Sequence, residues 1–247
     1  MHSKIFVINL DSNPERLDSI TKQCERLNLS FERVSAIRGR DLTPDKKNNI
    51  YQVGINKQSY DSLLTDGEIG CYLSHIYCWQ KMIDEQLDYA LILEDDAELS
   101  DLLPTYISKL ENKIALWDYI ELSHGSKIRA ACQSYSLGSG LEWVKRLRLN
   151  STTTAQLVSY QGAKRLLSSA LPIKRPVDID LQFWYEKSIR CFSVYPFPVK
   201  TAPFASDISA MGRQSRNSSL FRRLIWQTKH KLNLRRFSDK LMDMPFE

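Results

Sequence analysis

Long apolar runs are missing. The 247-residue chain has no stretch approaching the roughly 18 apolar residues that a spanning helix needs, and segments such as Tyr89 to Leu93 are its longest candidates. We expect neither a membrane-spanning helix nor a secretory signal. Glycine and proline are scarce, at 9 each, which excludes collagen-like and low-complexity chains. The five cysteines, Cys24, Cys71, Cys78, Cys132 and Cys191, are odd in number and show no CxxC spacing. Neither a disulfide framework nor a structural zinc site is expected, and a reducing cytoplasm fits best. No GxGxxG follows the first apolar run, and GxxxxGKS/T, HExxH and GxSxG do not occur. Dinucleotide, P-loop, zinc-protease and serine-hydrolase chemistries therefore lose their main support.

What is present is ordinary globular composition, 43% hydrophobic and 26% charged, enough for one sizeable core. The net charge of +5 is unevenly placed. From Gly212 to Glu247 there are nine Lys/Arg against three acids, a net of +6, whereas residues 1–211 carry 25 basic and 26 acidic residues. The expected organisation is a neutral domain over 1–211 and a cationic appendage over 212–247, with any attraction to polyanions confined to the appendage.

Ile5 to Ile8 is a short apolar run suited to a buried parallel strand. Leu17, Ile20, Cys24 and Leu27 then repeat at the spacing of one helical face, and Phe31 to Val34 suggests a second strand. Residues 39–60 look irregular or weakly helical. Thr65 and Glu68 have the spacing of a capping box, and Tyr72, Ile76, Trp79 and Ile83 share a face, so a helix is expected over 66–86. Asp88 to Leu93 reads as an apolar strand, 102–116 as a helix and Tyr119 to Leu122 as another strand. Later segments are Leu141 to Leu149, Thr153 to Ser159 and Phe192 to Tyr195, and helices are expected near 161–171 and 177–187. Such alternation predicts an α/β fold, a mostly parallel sheet flanked by helices.

Glu94-Asp95-Asp96 closes an apolar strand with three acids that repel one another. A cation among them would remove the conflict, and all-carboxylate ligation suits Mg²⁺ or Mn²⁺. In extended backbone Glu94 and Asp96 would point one way and Asp95 the other, beyond a strand's carboxyl end, where α/β sheets bind ligands. The same acids could instead solvate a loop and favour the next helix's N-terminus. Asp178 and Asp180 form a second acidic pair, either of which could act as general base, although Asp178 could equally cap the helix that follows. His75 lies at the edge of its helix's apolar face, where a structural histidine is expected.

Together several segments resemble glycosyltransferase family 25. They are Ile8-Asn9-Leu10-Asp11 with Arg16, Leu64 to Cys71 with Leu73-Ser74-His75 and Trp79, Ala90 to Asp96, Gly162-Ala163-Lys164 with Leu166-Leu167, and Pro176-Val177-Asp178. The likeness extends over about residues 4–210. That family includes bacterial lipooligosaccharide glycosyltransferases and is related to the collagen hydroxylysine galactosyltransferases. The resemblance implies a GT-A-type fold, a UDP-sugar donor, a divalent metal (Mn²⁺ or Mg²⁺) and inverting transfer of a hexose, galactose or glucose, to a saccharide hydroxyl. It implies Asp96 as metal ligand, with Glu94 and Asp207 assisting. Asn9, Leu10, Arg16, Glu94 and Asp95 would lie at the donor, with Asp178 the first choice for base and Asp180 the second. His75 and Gln156 would stand near the acceptor or support the site. The segment Thr152 to Gln156 departs from the family's pattern, which leaves the sugar pocket open.

In the appendage, Leu220, Phe221, Leu224, Ile225 and Leu232 share an arc of a helical projection, with Trp226 outside it. Such a helix could touch an anionic membrane surface, at the inner face of the cytoplasmic membrane where a lipid-linked oligosaccharide acceptor is presented, or could pack on the body. Nucleic acid is not an expected partner, since no recognition helix or RNP motif accompanies the charge. The alternative to an enzyme is a membrane- or polyanion-binding adaptor with an inactive body, for which Asp96→Ala would be silent.

Overall fold

In the computed structural model, which describes residues 1–202 and 220–246, the run Ile5 to Ile8 lies inside strand β1 (Ser3–Asn9). Helix α1 (Pro14–Arg26) and strand β2 (Glu32–Ser35) follow. The polar stretch after β2 is more ordered than its composition suggests. It forms a 3₁₀ turn at Gly39–Asp41 and two short helices, α2 (Pro44–Ile50) and α3 (Val53–Ser59).

Helix α4 (Asp66–Asp84) realises the expected capping box. The Glu68 amide donates to Thr65 Oγ1 at 3.2 Å, and the Thr65 amide donates to Glu68 Oε2 at 2.8 Å. The helix ends two residues before the expected 86, where Gln86 takes φ 53°, a left-handed conformation that stops propagation. Its inner face buries Ile69, Tyr72, His75, Cys78, Trp79 and Met82. At Gly70 the backbone of Ile37 lies so close that a Cβ would sit 2.3 Å from its carbonyl oxygen. Only glycine permits that approach.

Strands β3 (Tyr89–Glu94) and β4 (Ala97–Leu99) come next, then helix α5 (Leu102–Glu111), shorter than the 102–116 that the sequence pattern predicts, with a separate 3₁₀ turn at Ile114–Leu116. Strand β5 (Tyr119–Glu121) leads to a hairpin of β6 (Gln133–Gly138) and β7 (Leu141–Lys145). Strand β8 (Ala155–Ser159) runs into helix α6 (Tyr160–Ala170). The single helix expected over 177–187 is two, α7 (Val177–Leu181) and α8 (Trp184–Lys187). Between them Gln182 turns inward to bond Ser151 and Arg148, and Phe183 lies under the Arg175 guanidinium at 3.5 Å. Strands β9 (Cys191–Tyr195) and β10 (Val199–Thr201) follow.

Eight strands form one sheet in the order β2-β1-β3-β8-β5-β9-β7-β6. The pairings β1–β2, β1–β3 and β5–β9 are parallel, and β8 and β7 run against the other strands. The sheet is therefore mostly parallel in direction and flanked by helices, as an α/β, GT-A-type reading expects. Strand β3 is buried almost throughout, which is why its sequence is a continuous apolar run rather than an alternation.

The expected boundary at 211/212 lies outside the described residues. Beyond it, the helix Leu220–Arg236 and the short helix Ser238–Met242 pack on the body. Trp226 meets Tyr60 edge-on at 5.3 Å and donates from Nε1 to the Ser59 carbonyl at 2.9 Å. His230 stacks on Phe183 at 4.3 Å, and Phe237 on Tyr185 at 4.4 Å. Burial, with Arg148 and Arg175 nearby, pushes His230 down to about 3, so it packs as a neutral ring.

Candidate functional site

The carboxyl ends of β1 and β3 are adjacent, Ile8 being paired with Glu94, and this brings Asn9, Leu10, Arg16 and the three acids together. The chain turns directly after Glu94, and Glu94 and Asp95 face opposite sides, as expected. Asp95 faces β1. Its Oδ2 accepts from Asn9 Nδ2 at 2.7 Å and its Oδ1 from Arg16 at 3.3 Å. Asn9 is itself fixed, since Arg33 Nε donates to its Oδ1 at 3.0 Å. Burial raises Asp95, and the bonds from Asn9 and Arg16 offset only part of that rise. Leu10 is half-buried, and its carbonyl accepts the Asn13 amide.

Glu94 is held from the other side. Its Oε1 accepts from Thr153 Oγ1 at 2.6 Å and meets His75 Nε2 at 3.1 Å. On the ring's far side Gln156 Nε2 lies 3.1 Å from Nδ1. With the amide nitrogen donating to Nδ1, the ring carries its proton on Nε2 and gives it to Glu94. Burial raises the Glu94 carboxyl, but the bonds from His75 and Thr153 win and leave it below its usual value. Both bonds fall on Oε1, so Oε2 remains for a ligand.

Asp96 differs from both neighbours. Its Oδ1 is buried with no hydrogen-bond partner among the described residues. Burial first, then the charges of Glu94 and Asp95, push it up to about 7. Leaving such a group unmatched costs about 1–3 kcal/mol, and the group that would match it is a cation. The donor set is carboxylate oxygen, which fits Mg²⁺ or Mn²⁺. Asp96 and Glu94 Oε2 would hold the ion. Asp207, the third expected ligand, lies outside the described residues, although the strand leading toward it is close, the Ala202 amide donating to the Asp96 carbonyl at 2.7 Å.

Asp178 belongs to the same acidic basin. Burial, then Glu68 and Glu94, raise it to about 6. It is not the N-cap of α7, which is Pro176, and its carboxylate instead takes backbone hydrogen bonds in the helix's first turn, that of Ile179 first. Asp180 is a correction. It is buried between Arg175 at 2.8 Å and Lys187 at 2.5 Å, with Tyr72 Oη donating at 2.6 Å. Burial raises it, but Lys187 and Arg175 overcome that and hold it below its usual value. With both oxygens engaged, it anchors α7 and cannot serve as the second base.

Cys71, His75 and Glu94 place one ligand atom each within 4.8 Å of one another. A zinc reading of that trio fails on chemistry. The Cys71 thiol is driven well up by burial and by Glu94, Asp178 and Asp96, and both His75 nitrogens are already used. A cavity of about 440 Å³ bordered by Lys4, Asn28, Phe31 and Tyr89 lies at the opposite end of β1 and β3 and contains none of these acids.

Thr153 and Arg33 escaped sequence reasoning. A lone threonine or arginine carries no spacing signal, and each is recruited by a strand that neighbours β1 or β3 only in space. In the departing segment Thr152 to Gln156, the Thr152 and Thr154 hydroxyls lie 2.9 Å apart and Thr154 lies 3.0 Å from Thr201.

The chain matches the family model described as "Glycosyltransferase family 25 (LPS biosynthesis protein)" over residues 2–181. It is similar to a "Glycosyltransferase 25 family member" of Aedes aegypti, 30% identical over 184 residues, covering 72% of this chain and 30% of that one. It is also similar to procollagen galactosyltransferase 1-B of Xenopus laevis, 28% identical over 229 residues, 83% of this chain and 36% of that one. Procollagen galactosyltransferase 2 of Homo sapiens is 26% identical over 212 residues, 78% of this chain and 34% of that one. The chain spans about a third of the length of these relatives.

Proposed function

The chain belongs to glycosyltransferase family 25, and from that membership we propose that it transfers galactose from a UDP-sugar to a saccharide hydroxyl of lipopolysaccharide type, with inversion at the anomeric carbon. The observation that carries the proposal is the orphaned, buried Asp96 Oδ1 in a basin of four carboxylates, Glu68, Glu94, Asp96 and Asp178, all of which act on the Cys71 thiol. Galactose is supported by the names of the relatives, and the acceptor class by the family's description. The five cysteines are free thiols, which suits the cytoplasmic side of a membrane.

A divalent cation held by Asp96 and Glu94 would neutralise the charge that develops on the leaving diphosphate. Asn9 and Arg16, immobilised by Asp95, give the donor a rigid wall. His75 and Gln156 keep Glu94 ionised and aimed. Asp178 accepts the proton of the acceptor hydroxyl as its oxygen bonds to the anomeric carbon and the bond from that carbon to the diphosphate oxygen breaks. One displacement inverts the configuration.

The test is Asp96→Asn. We expect kcat/KM with UDP-galactose and Mn²⁺ to fall on the order of a thousandfold and the Mn²⁺-dependent thermal shift with UDP to vanish. An α-linked donor giving an α-linked product by NMR would overturn inversion. A wild-type chain unmoved by any UDP-sugar with Mn²⁺ would overturn the whole reading and favour the adaptor alternative.

A further inference from the structure

The helix Leu220–Arg236 has two faces, and packing on the body uses only one. Trp226, His230 and Leu234 point inward, continued by Phe237, and His230 and Leu234 are buried. On the opposite side Phe221 is 71% exposed, Leu224 63%, Ile225 45% and Leu232 58%. At 100° per residue these four fall within an arc of about 100°. Lys231 borders it on one edge and Lys229 and Arg236 on the other, Arg235 falls within it between Leu224 and Phe221, and all four are exposed. The helix carries six Lys/Arg and no Asp or Glu, whereas residues 1–211 are nearly neutral. Trp226, which breaks the apolar arc when the helix is considered alone, is thus explained by the body, and among the described residues the arc is exposed.

We propose that this outer face is a docking surface for an anionic lipid bilayer, on which the helix lies in the interface plane with Phe221, Leu224, Ile225 and Leu232 entering the acyl boundary and the flanking Lys/Arg contacting lipid phosphates. A narrow apolar strip between two basic edges matches a headgroup layer over hydrocarbon. Nucleic acid offers phosphate but nothing for the four apolar side chains, and an acidic protein would leave the Lys/Arg edges screened but the convex strip poorly packed. No helix among the described residues is long and apolar enough to cross a membrane, so the contact lies on the surface. The inference is independent of the acidic site.

The experiment is flotation of the full chain with vesicles of phosphatidylcholine alone and of phosphatidylcholine with phosphatidylglycerol, at low and high salt. Binding to the anionic vesicles should exceed binding to the zwitterionic ones by about tenfold or more and weaken with salt. Leu224→Ser with Ile225→Ser, and separately Lys229→Glu with Lys231→Glu, should each lower it by about tenfold, with thermal midpoints unchanged because none of these side chains is buried. Asp96→Asn should bind like the wild type, so a failed transferase reading leaves this result standing. Equal binding to both vesicles, no binding, retention by the variants, sedimentation as a dimer that protects the strip, or preference for an oligonucleotide over anionic vesicles would each overturn the proposal.

Discussion

Asp178 and Glu121 are both raised carboxyls, and what surrounds each decides whether the rise serves chemistry or structure. Asp178 is partly exposed among other acids and sits near 6, close to where a general base works at neutral pH. If it takes the acceptor's proton, kcat/KM should climb with pH through about 6, and Asp178→Asn should remove that limb with a loss of at least about a hundredfold. A variant that keeps both rate and limb would transfer the role elsewhere. Glu121 is fully buried, and its Oε2 accepts from Asn150 at 2.6 Å and Ser193 at 2.8 Å. Among the described residues its Oε1 is unmatched, as is Oε1 of Gln156, the residue paired with it across β5 and β8. A proton on Glu121 gives that pair its donor. Burial accordingly raises Glu121 from the ordinary 4.5 to about 7. The folded state then binds the extra proton between those values, so stability falls as pH rises from about 4.5 to 7, by roughly 3 kcal/mol at most. Glu121→Gln, whose amide donates at any pH, should flatten that slope and raise the melting temperature at pH 8; an unchanged slope in thermal melts would refute the assignment. At this scale the triad Glu94-Asp95-Asp96 was legible because acids crowding a strand end are conspicuous. Their division of labour was not, because Arg16, Thr153 and His75 reach them from elements distant in the chain.

Helix α4 shows which elements a sequence announces. Its capping box and apolar face are local and strong, and its start at Asp66 follows from them, whereas its end depends on one residue's left-handed turn. The helix positions the site because His75 faces Glu94 and Tyr72 holds Asp180, and its placement depends on Gly70. Ser74 secures the same contact, accepting the Ile37 amide at 2.8 Å. A Cβ at position 70 would enter the Ile37 carbonyl, a backbone atom that cannot rotate away. Gly70→Ala should therefore destabilise by about 1–3 kcal/mol despite alanine's better helix propensity, and lower activity more than stability as His75 shifts. A stabilised variant in chemical denaturation would show that the segment yields. Short elements such as α2 and α3 were not legible as separate helices, since a turn or two of helix in polar sequence is fixed by what it packs against, and of the helix expected over 177–187 only the break between α7 and α8 was hidden.

Across the whole molecule, the charge asymmetry was legible from composition, as was the α/β class from the alternation of patterns. Strand order was not. Nothing in the five residues of β8 says that it inserts between β3 and β5 in reverse, yet that insertion puts Gln156 behind His75 and so joins two halves of the sheet at the site. The C-terminal helix shows a related point, because a helical projection weighs residues without the surface they meet: it sets Trp226 outside the apolar arc but does not say that Trp226 meets the body. Trp226 bridges three separated parts of the chain: Ser59 and Tyr60, Phe183, and its own helix through His230. Removing it should release the helix without unfolding the sheet, since stability is distributed in local units. We expect Trp226→Ala to cost about 2–4 kcal/mol locally and to accelerate amide hydrogen exchange over 220–236 and 53–59. The amides of β1 and β3 should exchange as before, and Mn²⁺ and UDP should still stabilise the body. Uniform acceleration across β3 would instead mean that the helix and the sheet unfold as one cooperative unit, in which case the appendage is part of the domain's core and not an addition to it.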